Sequence, residues 1–177
     1  FLEVSTMAFD QKQMRIPGPT PVPHEVAAAS ARPMVNHRGP VFKKVMMDVL
    51  ERLKPIFQTQ NTILALTGSG TSAMEASVAN LVNPDDEVLV LVGGTFGERW
   101  AKICRAYQAK VHVLDYTWGE GADPAQIADF LRRNPRTVAV FATHNESSTG
   151  VLNDLEVIGA AVRESGALLV VDAVSSH

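Results

Sequence analysis

The sequence predicts an α/β fold in which a mainly parallel sheet is covered by helices on both faces. Three observations predict it. Short runs that are apolar after their first residue or throughout, such as Glu87–Val92, Thr137–Ala142 and Ala167–Val171, have strand length and leave no polar face for solvent. They alternate with longer segments of helical character, the order that builds parallel sheets. A Gly68-Ser69-Gly70 turn stands between an apolar run and a helix, the arrangement that opens helix N-H groups toward a ligand.

Taken from the beginning, residues 1–14 are read as a disordered leader or cloning remnant, since Phe1 to Thr6 precede the first methionine, Met7. Residues 15–61 are read as an N-terminal arm followed by an amphipathic helix. Pro17, Pro19, Pro21, Pro23 and Pro33 forbid a continuous helix there. Ile16, Val22, Val26, Met34 and Val35 give the arm side chains to bury, and Asn36-His37-Arg38-Gly39 reads as a surface loop. Phe42, Val45, Met46, Val49, Leu50 and Leu53 then recur at helical spacing, up to Lys54, where Pro55 ends or kinks the helix.

Residues 62–177 are read as a cofactor-binding domain. The expected order is strand Thr62–Leu66, helix Ser72–Val82, strand Glu87–Val92, helix Phe96–Tyr107 and strand Lys110–Leu114. Helix Pro124–Arg133, strand Thr137–Ala142, helix Leu155–Glu164 and strand Ala167–Val171 follow. Asn83-Pro84-Asp85-Asp86 and Asn134-Pro135 mark the breaks. Ser72-Ala73-Met74-Glu75 fits a capping box, with Ser72 closing the helix start and Glu75 reaching back.

Composition excludes several partners. The 177-residue chain carries a net charge of −3 and a fifth of its residues are charged, so nothing points to nucleic acid or an anionic membrane. No apolar run reaches the length of a membrane span, and no secretory signal is visible, which leaves the cytoplasm as the expected compartment. The single Cys104 forms no internal disulfide and reads as a small core residue.

Two phosphate loops compete for the glycine turn. The nucleoside-triphosphate loop needs a lysine directly after its glycines, and none lies between Lys54 and Lys102. The dinucleotide fingerprint fits Gly68-x-Gly70-x-x-Ala73, which keeps a nicotinamide-dependent oxidoreductase as the alternative reading. That reading requires an acid at the end of the next strand, where Gly93-Gly94-Thr95 stands instead.

In an open parallel sheet, ligands sit beyond the carboxyl ends of the strands. Those ends carry Ser69-Gly70-Thr71, Phe96 after Gly93-Gly94-Thr95, His144 to Gly150, and Asp172 to Ser176. Asp172 is either a turn cap or the partner of a buried cation, for which a protonated pyridine nitrogen would serve. Phe96 is either core or a platform for a planar ring. His144 reads equally as a core histidine, and Arg99 and Trp100 read as structural.

Several segments resemble the class V aminotransferases, nearest to the alanine–glyoxylate and serine–pyruvate group. They are Pro17-Gly18-Pro19-Thr20, Asn36-His37-Arg38-Gly39, Gly68-Ser69-Gly70-Thr71 with Met74-Glu75, and Phe96-Gly97-Glu98-Arg99-Trp100. Thr143-His144-x-Glu146-Ser147-Ser148-Thr149-Gly150-Val151 and Val171-Asp172-Ala173-Val174-Ser175-Ser176 complete the pattern, which runs from about Arg15 to Ser176. The resemblance implies the large domain of a fold-type I enzyme that uses pyridoxal 5'-phosphate, assembled as a homodimer. Its implied reaction moves an amino group between a small amino acid and a small 2-oxo acid.

Carried over by position, Ser69, Gly70 and Thr71 hold the cofactor phosphate, Phe96 stacks on the ring and Ser147 lies near its substituents. Asp172 partners the ring nitrogen and Val174 packs against the other face. His177 departs from the pattern, where leucine is common. The family's Schiff-base lysine is expected after the Asp172 strand, and none of Lys12, Lys43, Lys44, Lys54, Lys102 and Lys110 matches it. This stretch alone is therefore expected to be inactive, with the lysine and a C-terminal domain lying beyond it.

Overall fold

The computed structural model describes residues 15–177, so the expected leader over 1–14 lies outside the described residues. It divides into two compact units, one ending at Asp48 and one running from Val49 to His177.

The described part of the first unit holds a short helix, α1 (His24–Ser30), and the first half of α2 (Pro40–Ile56). No residue of α1 or α2 is buried. Ile16, Val22, Val26, Met34 and Val35, expected to be buried, are all exposed, Met34 almost fully at 98%. The reason is architectural, because a one-sided arm with a seven-residue helix offers no second apolar layer to close on. Pro55 lies inside α2, near its end, rather than ending it at Lys54.

The second unit alternates helix and strand. In chain order come α3 (Gly70–Leu81), β1 (Glu87–Val92), α4 (Thr95–Ala106), β2 (Lys110–Asp115) and α5 (Pro124–Arg133). Then come β3 (Thr137–Thr143), the two-residue strands β4 (Asn145–Glu146) and β5 (Val151–Leu152), α6 (Leu155–Arg163) and β6 (Leu168–Asp172). β1, β2, β3 and β6 form one parallel sheet in the order β2-β1-β3-β6, while β4 and β5 pair antiparallel beside it. The expected fold class is the observed one, down to the helices on both faces.

Strand alternation sorts the core into two layers. Val88, Val90 and Val92 of β1 point to one face, where Met74 and Val78 of α3 and Trp100, Ala101 and Cys104 of α4 meet Ala139 and Phe141 of β3. Leu89 and Leu91 point to the other, against Ile127 and Leu131 of α5 and Ile158 and Val162 of α6. Trp100 is 1% exposed and stacks at 4.9 Å on Phe141, so its reading as structural holds.

Two further expectations fail. Thr62–Leu66 is not a strand, and Leu64 and Leu66 are exposed. Apolar composition alone does not make a strand, which exists only through a hydrogen-bonded neighbour, and no described strand pairs with this run. The N-cap of α3 is Ser69 and not Ser72; the Ser69 side chain accepts from the Ser72 N-H, and the helix begins two residues earlier than expected. Glu75 does not reach back, but accepts at 3.1 Å from the hydroxyl of Tyr107, the residue that caps the end of α4. That hydrogen bond raises the Tyr107 phenol above its ordinary range.

Candidate active site

The carboxyl ends of the parallel strands meet the starts of α3 and α4 at a cavity of about 200 Å³. All seven residues singled out from the sequence line it: Ser69, Gly70, Thr71, Phe96, Ser147, Asp172 and Val174. Sequence reading scattered them over about a hundred positions, and the sheet topology brings them together.

The α3 side is polar and electropositive. Ser69 caps the helix, while no described residue accepts from the N-H groups of Gly70 and Thr71. These amides stand at the positive end of the helix dipole. Gly70 is tightly placed, since a Cβ there would lie 3.3 Å from Val174 Cγ2. Glu98, the carboxylate whose presence here would have spoken against an anion, turns instead toward Lys102 at 3.4 Å.

The opposite side carries the negative group. Asp172 closes β6, is 9% exposed, and accepts the Val174 N-H on Oδ1 at 3.0 Å. Oδ2 is left to the cavity. Val174 is 71% exposed, an apolar side chain standing free beside it. Ser147 donates to the Ser175 hydroxyl at 2.7 Å, which ties the loop after β4 to the loop after β6.

Sequence reading missed three residues here. Arg99, taken as structural, lines the cavity, donates to Thr71 Oγ1 at 3.0 Å and lies 4.8 Å over the Phe96 ring. Its position one turn after Phe96, on the same helix face, was the available signal. Asn145 also lines the cavity and donates to the Ser175 carbonyl at 3.4 Å. Glu146 is 2% exposed and caps α4 from fifty residues away, a long-range contact that no local pattern announces. No cluster of described residues fits a metal ion, and no described helix is long and apolar enough to cross a membrane.

The donor set fits a flat ligand with an anionic end and a basic ring atom. Free helix amides and a guanidinium suit a phosphate, an aromatic ring and an exposed valine suit the two faces of a ring, and an unengaged carboxylate oxygen suits a protonated nitrogen.

Comparison with known proteins agrees with this class of site. A profile of the aminotransferase class-V family matches residues 22–177. The chain is 42% identical over 166 residues to an uncharacterised aminotransferase of Methanocaldococcus jannaschii, covering 94% of this chain and 43% of that protein. It is 38% identical over 166 residues to the serine–glyoxylate aminotransferase of Hyphomicrobium methylovorum, covering 91% and 41%. The crystal structure of alanine–glyoxylate aminotransferase from a Nostoc species superposes with a TM-score of 0.90 at 34% identity, over 99% of this chain and 46% of that one.

The chain belongs to the class V aminotransferase family, a family of pyridoxal-phosphate-dependent enzymes. It spans less than half the length of these relatives. Nothing in these likenesses supports the nicotinamide-dependent alternative.

Proposed function

We propose that the full-length protein transfers an amino group from a small amino acid of the alanine or serine type to a small 2-oxo acid of the glyoxylate or pyruvate type. The single observation that carries this reading is the pairing, within one cavity, of an open helix start with an unengaged carboxylate oxygen. The relatives named for serine–glyoxylate and alanine–glyoxylate transfer support the substrate class. Pyridoxal phosphate, when bound, supplies an electron sink for chemistry at the amino acid's α-carbon.

The chain's own residues divide the work. The Gly70 and Thr71 amides and the Ser69 hydroxyl hold the phosphate end, and Arg99 adds a positive charge there. Phe96 and Val174 confine the ring, Ser147 reaches its substituents, and Asp172 keeps a proton on its nitrogen. Residues 62–177 act as the cofactor-binding portion and 15–61 as an N-terminal arm. The exposed apolar side chains of that arm support a homodimer, and the enzyme works in the cytoplasm.

No lysine lines the cavity among the described residues, so this stretch alone does not turn over. The test is an absorbance scan of the full-length protein with added pyridoxal phosphate, followed by amino transfer assays with alanine or serine and glyoxylate or pyruvate. A protein-bound cofactor band and turnover with one of these pairs are expected. Absence of both overturns the proposal.

A further inference from the structure

Glu146 is a nearly fully buried carboxylate, and it does not line the main cavity. A buried charge needs compensation. No described lysine, arginine or histidine supplies it; the start of α4 does. The Phe96 N-H reaches Oε2 at 3.1 Å and Oε1 at 3.3 Å, the Gly97 N-H reaches Oε2 at 3.1 Å, and the Ser148 hydroxyl donates to Oε1 at 2.6 Å. The same Ser148 oxygen accepts the Thr95 N-H at 3.1 Å. The first three amides of α4 are thus held by one Glu-x-Ser segment that stands at the positive end of the helix.

The close approach is built into both partners. A Cβ on Gly94 would fall 2.5 Å from Glu146 Cγ and 2.5 Å from Ser148 Oγ, so only glycine admits the carboxylate. The glycine pair before Phe96 and the Glu-Ser-Ser run after β3 therefore form one device. Phe96 and Ser147 both line the main cavity, and they are tied together through Glu146, the residue next to Ser147.

On its other side Glu146 borders a second, much smaller cavity with Tyr116, Thr143 and Asn153. It offers about 10 Å³ for the centre of a water molecule, and the Tyr116 and Thr143 hydroxyls have no partner among the described residues. Burial and the nearby Asp123 push the Tyr116 phenol up to about 12, so it stays a donor.

We propose that Glu146 is a positioning residue for the cofactor, fixing the Phe96 ring relative to Ser147 through the backbone of α4. This rests on the reading that the main cavity holds pyridoxal phosphate.

The test uses the full-length protein and three variants, Glu146→Ala, Glu146→Gln and Ser148→Ala. Affinity for pyridoxal phosphate, the circular dichroism induced in the bound cofactor and the melting temperature are all measured. Glu146→Ala is expected to weaken binding at least tenfold and to alter the induced dichroism, while Glu146→Gln, which keeps an acceptor for the α4 amides, restores most of both. Ser148→Ala touches nothing in the main cavity and is expected to give a smaller change in the same direction, which decides the matter if Glu146→Ala does not fold. A lower melting temperature with unchanged affinity and dichroism in Ser148→Ala and in folded Glu146→Ala overturns the proposal and leaves Glu146 as scaffold. Failure of the unmodified protein to bind the cofactor overturns instead the reading on which it rests.

Discussion

Two helices begin side by side on the same rim, and they begin differently. At α4 the first three amides are satisfied by Glu146 and Ser148 from the chain itself. At α3 the Gly70 and Thr71 amides face the cavity with no described acceptor. Both ends carry the same electrostatic demand for negative charge. The protein meets it internally at the helix that carries Phe96, and leaves it unmet at the helix on the polar side. A closed start is structure and an open start is a place for a ligand.

The largest effect is expected from the group that faces the open start across the cavity. Asp172→Ala removes the carboxylate proposed to pair with the ring nitrogen, and losing one member of a buried pair costs about 3–5 kcal/mol. Turnover of the full-length enzyme is expected to fall at least hundredfold, roughly the equivalent of that energy. Steady-state kinetics check it, and near-normal turnover would mean that Asp172 only closes the turn at Val174.

A smaller change makes α3 resemble α4. Ser69→Asp keeps a good N-cap and places a carboxylate beside the open amides. Competition with the phosphate is expected to weaken pyridoxal phosphate by about 2 kcal/mol, or roughly thirtyfold, on the scale of charge effects at helix ends. The melting temperature should hold or rise slightly. Binding titrations beside thermal melts separate the two effects, and unchanged cofactor affinity would break the comparison.

The smallest effect reads the packing of the closed helix. Cys104, on α4, is fully buried, and burial pushes its thiol up to about 12 from an ordinary 9.0. The folded state therefore holds the proton more tightly than the unfolded one. That contribution to stability is complete below about pH 9 and is lost as the pH rises toward 12. A thiol reagent at pH 8 should label Cys104 only in denaturant; rapid labelling of the native protein would show that α4 opens readily.

The sequence was most legible where a local rule operates. Largely apolar runs placed β1, β3 and β6 within a residue or so of their true bounds; β1 and β3 are buried on both faces, which leaves little other composition open to them, while β6 at the sheet edge is only partly buried. Strand ends and a glycine turn mark the rim and with it Ser69, Gly70, Thr71, Phe96 and Asp172, whereas Ser147 and Val174 were singled out by the family resemblance. What escaped was decided by distant partners. Thr62–Leu66 has strand composition and no described neighbour, Glu75 chose Tyr107 over its own helix start, and Glu146 reaches an amide fifty residues back. Arg99 escaped for a different reason: a charged residue one turn into a helix looks like surface until the cavity beneath it is seen.

A crystal structure of the full-length protein with pyridoxal phosphate would show whether the open start of α3 is the phosphate site. Phosphate oxygens are expected on the Gly70 and Thr71 amides, the ring between Phe96 and Val174, and its nitrogen at Asp172 Oδ2. A cofactor bound with its phosphate elsewhere, or those amides taken by a carboxylate of the chain, would contradict it.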